Sequence, residues 1–114
     1  MTARRQRLGA VGEDRVARRY ESHGFTVLER NWRVRAGEID LIVAKGPTLV
    51  ICEVKTRSST RFGSGAEAVG HDKQRRLRKL AIAYLAAQDH YWPDLRFDVA
   101  WVSPTGVRVY EAAF

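Results

Sequence analysis

Two strand-like runs, Gly37 to Ala44 and Thr48 to Lys55, flank the break Lys45-Gly46-Pro47 and carry three ionisable residues in otherwise apolar sequence: Asp40, Glu53 and Lys55. An unpaired charge in a buried strand is costly or forces a pKa shift, so this pair of strands demands a compensating partner. A tight turn centred on Gly46-Pro47 makes the numbers of opposed residues sum to 93. Asp40 then faces Glu53, and Glu38 faces Lys55. Period-2 alternation sets all four on one face of the hairpin. Two carboxylates opposed in this way destabilise a sheet unless a cation lies between them.

The cation is constrained by what else the chain offers. Cys52 is the single cysteine and cannot make an internal disulfide, and His23, His71 and His90 are far apart, which disfavours a Cys/His zinc site. Carboxylate ligands point instead to Mg²⁺ or Mn²⁺, with Asp40 and Glu53 as metal anchors and the Val54 carbonyl as a further oxygen. Lys55, on the same face as Glu53, is placed to orient an attacking water and to stabilise charge on a phosphorane. The competing reading is a buried Asp40 or Glu53 salt-bridged to Lys55.

The formal net charge is +7, with sixteen Arg to four Lys. That balance suits a polyanionic partner, and the planar guanidinium suits phosphate. Arginine-favouring codons would produce the same composition. No apolar run approaches the roughly 20 residues of a membrane-spanning helix, and no signal-peptide pattern opens the chain, so a cytoplasmic protein without membrane contact is expected.

At 114 residues the chain is expected to form one domain over 1–114. Residues 1–7 read as a basic N-terminal arm. Leu8 to His23 reads as a helix closed by Gly24, with an inward stripe of Gly9, Gly12, Glu13, Val16, Ala17 and Tyr20. The glycines would let this helix approach the sheet closely and carry Glu13 inward; the alternative is a Glu13 at the stripe edge reaching solvent. Phe25 to Leu28 reads as a strand, and Arg30 to Ala36 as its extension or a basic connection. Residues 56–70 read as a flexible loop, long enough to be functional. A second helix is expected over His71 to Gln88, then strands over Arg96 to Ser103 and Val107 to Tyr110. The expected fold class is α/β, a central mixed five-stranded sheet flanked by helices. Asp98 is expected in a structural ion pair with Arg96 or Arg108, and Trp32, Trp92 and Trp101 in packing roles.

Gly37-Glu38-Ile39-Asp40-Leu41-Ile42, followed by Glu53-Val54-Lys55-Thr56-Arg57, resembles the PD-(D/E)xK signature of restriction-endonuclease-like nucleases, with Ile39 where the signature has Pro. More narrowly, Gly12-Glu13, Arg30-Asn31-Trp32, Lys73-Gln74-Arg75-Arg76-Leu77 and Arg96-Phe97-Asp98-Val99 resemble the YraN-like family of small bacterial proteins, which is similar to archaeal Holliday-junction resolvases. The resemblance implies a restriction-endonuclease-like fold and a metal-dependent nuclease site. In it Asp40 and Glu53 would be metal ligands, Lys55 the catalytic lysine and Glu13 the first-helix acid. Lys73 or Gln74 would fill the second-helix position. Arg57 is the leading phosphate-contact candidate, with Arg61, Arg33, Arg35, Arg75 and Arg76 behind it. The expected function is an endonuclease acting on DNA, including branched or recombination intermediates, with a homodimer as the natural match to a two-fold junction. The alternative is a catalytically silent nucleic-acid-binding protein or adaptor of a repair or recombination complex.

Overall fold

The computed structural model describes residues 3–58 and 69–114. The chain runs α1 (Ala3–Ser22), β1 (Thr26–Val34), β2 (Gly37–Lys45), β3 (Thr48–Thr56), α2 (His71–Ala86), β4 (Asp94–Ser103) and β5 (Gly106–Tyr110). The five strands form one mixed sheet in the order β1-β2-β3-β4-β5. Only β3 and β4 are parallel, and α2 is the crossover between them. This is the fold class expected from the sequence.

The alternation of β3 decides the layers. Leu49 and Ile51 join Leu77, Leu80, Ala81 and Tyr84 of α2 on one face. Val50 and Cys52 join Val16, Ala17 and Tyr20 of α1 on the other. Burying apolar side chains on both faces of a central strand is the dominant favourable term here, at about 25 cal/mol per Å² removed from water. The sheet therefore lies between the two helices.

Close approach of α1 depends on Gly12, since a Cβ there would lie 2.3 Å from Thr56 Oγ1. The helix ends where Gly24 takes φ 88, with His23 N–H donating to Tyr20 O and Gly24 N–H to Glu21 O. One boundary differs from the sequence reading. The helix begins at Ala3, so most of the expected basic arm is helical, whereas Arg30 to Val34 extends β1, one of the two readings of that segment. Arg-rich sequence has good helix propensity, and a basic strand at a sheet edge needs no apolar face. The expected loop over 56–70 falls mostly outside the described residues, since β3 reaches Thr56 and residues 59–68 are not described.

Asp98 is fully buried on β4 and its oxygens are well supplied. Arg96 Nε and Nη2 each donate at 2.9 Å, Tyr20 Oη at 2.6 Å and Ala112 N at 3.0 Å. It is a structural ion pair with Arg96, as expected, tying α1 and the C-terminal segment to the sheet. Trp32 packs edge-on to Tyr84 in the core.

Candidate active site

The β2–β3 ladder has the expected register, with Lys45 opposite Thr48 and Leu41 opposite Cys52, and its pairing ends there. Asp40 and Glu53 are the next residues on the two strands, where the ladder has opened. Asp40 Oδ2 instead accepts a 2.9 Å hydrogen bond from Val54 N–H, so a side chain replaces a backbone rung. The expected pairing of Glu38 with Lys55 is not formed. Glu38 lies opposite Arg33 on β1, and its Oε2 accepts from Arg33 Nε at 2.9 Å. An exposed arginine on the neighbouring strand is nearer to Glu38 than the end of an opening ladder.

Asp40 also sits at a break in the alternation of β2. Ile39 packs with the α2 cluster while Leu41 packs with the α1 cluster, two residues apart on opposite faces. Across on β1, pairing runs from Arg30–Leu41 directly to Trp32–Ile39, skipping Asn31 and Asp40. Asn31 has φ 50, a left-handed conformation that Asn tolerates better than most residues. Its side chain donates from Nδ2 to Glu13 Oε2 at 2.8 Å. The kink in two adjacent strands thus frees Asp40 from the ladder and holds Glu13 of α1 on the same side.

Glu53 follows Leu49 and Ile51 onto the α2 face, 5% exposed, and Lys73 Nζ of α2 lies 3.1 Å from its Oε1. Lys73, not Gln74, enters the site; Gln74 Nε2 donates to Val69 O, at the start of its own helix. Burial, then the neighbouring Glu53 carboxylate, push Asp40 up to about 7, against the Val54 hydrogen bond. Glu13 is also raised, first by burial, with Asn31 opposing and Glu38 adding to the rise. Negative charge converges here from three elements.

Lys55 lies two residues beyond Glu53 on β3, half-buried, with no ion pair among the described residues. Arg57 N–H donates to Val102 O, and its guanidinium lies 4.9 Å from the centre of the Trp101 ring. The remaining basic candidates are dispersed. Arg33 pairs with Glu38, Arg75 with Asp72, Arg35 and Arg76 are exposed, and Arg61 lies outside the described residues. Arg76 does line a 220 Å³ cleft with Gly37, Glu38, Lys73 and Leu77, beside the Glu53–Lys73 pair. Asn31 was visible in the sequence only within the Arg30-Asn31-Trp32 motif; a residue tolerant of positive φ inside a strand was its one local signal.

Hard carboxylate oxygens at the opening of a ladder, one with a raised pKa, suit Mg²⁺ or Mn²⁺ as a donor set. Among the described residues no three of His, Cys, Asp or Glu are drawn together closely enough to hold a metal ion by themselves. The fit is therefore to an ion on two carboxylates that keeps several waters.

The model of the uncharacterised protein family UPF0102 matches residues 12–102, from the Gly12-Glu13 pair to the strand that carries Asp98. The chain belongs to that family. This is the YraN-like family that its motifs resemble. A UPF0102 protein of Frankia casuarinae is 52% identical over 112 residues, covering 94% of this chain and 95% of the relative. A UPF0102 protein of Frankia alni is 51% identical over 105 residues, covering 90% and 88%. One from Rhodococcus opacus is 50% identical over 92 residues, covering 81% and 78%. The span matched by UPF0102 contains Glu13, Asn31, Asp40, Glu53, Lys55 and Lys73. Among the described residues no helix is long and apolar enough to cross a membrane.

Proposed function

We propose that this UPF0102 member is a metal-dependent endonuclease acting on DNA, with branched or recombination intermediates among its substrates. The observation that carries the reading is Asp40 and Glu53 set side by side where the β2–β3 ladder opens, with Asp40 raised to about 7. Two adjacent carboxylates kept at this cost in a sheet are a functional-site signature.

Asp40 and Glu53 would hold Mg²⁺ or Mn²⁺. The bound ion would supply Lewis acidity at a phosphodiester oxygen and an activated water. Lys55 offsets negative charge on the phosphorane oxygens and orients the water. Glu13, held by Asn31, accepts a hydrogen bond from that water. Arg57, braced on Trp101, contacts a flanking phosphate, and Lys73 leaves Glu53 for a substrate phosphate when the cation takes its place. Arg33, Arg35, Arg61, Arg75 and Arg76 are backbone-phosphate contacts, and a homodimer would match a two-fold junction.

One observation favours a second reading: Lys73 already neutralises Glu53 at 3.1 Å. A protein in which that pair is permanent binds nucleic acid without turnover and serves as an adaptor. The test is incubation with Mg²⁺ or Mn²⁺ on linear, single-stranded and four-way-junction DNA, beside Lys55→Ala. Cleavage by the wild type that falls at least about a hundredfold in the variant supports the nuclease. Binding without cleavage in both metals selects the adaptor, and cleavage undiminished in Lys55→Ala overturns the assigned chemistry.

A further inference from the structure

Far from the carboxylates, a cavity of about 370 Å³ opens where the end of α1, the β2–β3 turn and the start of β4 meet. Arg19, His23, Phe25, Lys45, Arg96 and Glu111 line it. Thr48, also on its wall, is five residues from Glu53 along β3, roughly 17 Å at about 3.3 Å per residue. The cavity is a separate feature of the molecule.

Its cations are held but not neutralised. Arg19 Nη1 donates to Val107 O at 2.9 Å and Lys45 Nζ to His23 O at 2.8 Å, and neither has an acidic partner among the described residues. Arg96 is fixed by Asp98 through Nε and Nη2, while its Nη1 meets Glu111 only at 3.7 Å. Lys45 and Arg96 both lie against the Phe25 ring, 5.5 and 5.6 Å from its centre. His23 Nδ1 lies 2.8 Å from Arg19 O and 3.2 Å from Ser22 Oγ, which fixes the ring at the end of α1. Arg19, Lys45 and Arg96 against Asp98 and Glu111 leave one positive charge in surplus.

We infer that this cavity binds the phosphoryl group of a phosphomonoester. Arg19 and Lys45, neither with an acidic partner among the described residues, can meet the several oxygens of a terminal phosphoryl group, and the arginine fork suits phosphate oxygens. A cavity of this size takes a nucleotide-sized ligand, with Tyr20, Phe25 and Val109 as its apolar wall. Either a phosphorylated nucleic-acid end or a free phosphorylated small molecule supplies this chemistry. The inference does not rest on nuclease activity.

The test is calorimetric titration of the full chain without divalent cation, so that no cleavage intervenes. One arm compares a short oligonucleotide with a 5′-phosphate against its 5′-hydroxyl form, and the other compares adenosine 5′-monophosphate with adenosine. The phosphorylated form should bind at least about tenfold more tightly in one arm, and the arm that responds identifies the source. Lys45→Met should bring the two forms within about twofold, Lys45→Arg should restore the difference, and Lys79→Met at an exposed position of α2 should keep it. Thermal unfolding of each variant checks that it is folded. Equal affinity for both forms in both arms, or a difference that survives Lys45→Met, overturns the inference.

Discussion

Asp40 carries a folded-state pKa of about 7 against an ordinary 3.8, and the sign of its effect follows from that difference. Between those values the folded protein holds a proton that the unfolded chain has lost, so the contribution of Asp40 to stability is fully present below about pH 4 and is lost as pH rises to about 7. Denaturant unfolding across this range should show that decline in the metal-free wild type, and Asp40→Asn should lack this component. Parallel profiles would refute the raised pKa. Lys73→Ala leaves the buried Glu53 carboxylate without its cation. It should lower stability by about 1–3 kcal/mol, discounted for the exposed lysine end, and Mn²⁺ should recover most of the loss in thermal unfolding. Asn31→Gly keeps the left-handed backbone accessible but loses the bond to Glu13. Asn31→Ala loses both, and should be the less stable of the two by about 1 kcal/mol in denaturant unfolding. The sequence made Asp40 and Glu53 legible because charge in an apolar run is conspicuous, and Glu13 through its place on the helical stripe of α1. Asn31 was not, because its role is a backbone angle in a strand whose composition is polar throughout.

Among the elements, α1 is positioned by the contact between Gly12 and Thr56. Ala at a helical position gains about 1 kcal/mol over Gly, but here its Cβ meets a short β-branched side chain at 2.3 Å. Gly12→Ala should therefore destabilise by about 1–2 kcal/mol net and displace Glu13. Thr56→Ala in the same chain should recover most of the loss, and an additive double mutant would contradict the contact. The turn arithmetic recovered the β2–β3 register because Gly46-Pro47 is a compact hairpin turn with no bulge before Leu41. It overran at Glu38 because alternation breaks at Asp40, and sequence periodicity assumes an unbroken pleat. The bulge between Val27 and Glu29 on β1 was equally invisible. Helix α2 was legible from its Leu77, Leu80, Ala81, Tyr84 stripe, and that stripe leaves Lys73 one turn earlier on the same face, above Glu53.

Over the whole molecule, basic residues outnumber acidic ones, 20 to 13. The net charge of +7 is spread over both helices, β1 and the cavity at the far end of the sheet. If nucleic-acid affinity comes from these groups, it should fall steeply with salt, in proportion to the phosphates contacted. Filter binding from 50 to 200 mM salt would show this, and salt-independent affinity would contradict a phosphate-driven interaction. The fold class and the acidic centre were readable from local pattern, whereas the cavity was not, because Arg19, Lys45 and Arg96 are distant in sequence and meet only when the sheet forms. The claim on which the rest depends is that Asp40 and Glu53 hold a divalent cation. Calorimetric titration of Mn²⁺ into the metal-free protein at pH 6 and pH 8 tests it most directly. Saturable binding that is tighter at pH 8, where Asp40 has lost its proton, and that disappears in both Asp40→Asn and Glu53→Gln, is the predicted result. Absence of saturable binding at pH 8, or binding that persists unchanged in either variant, would contradict the account.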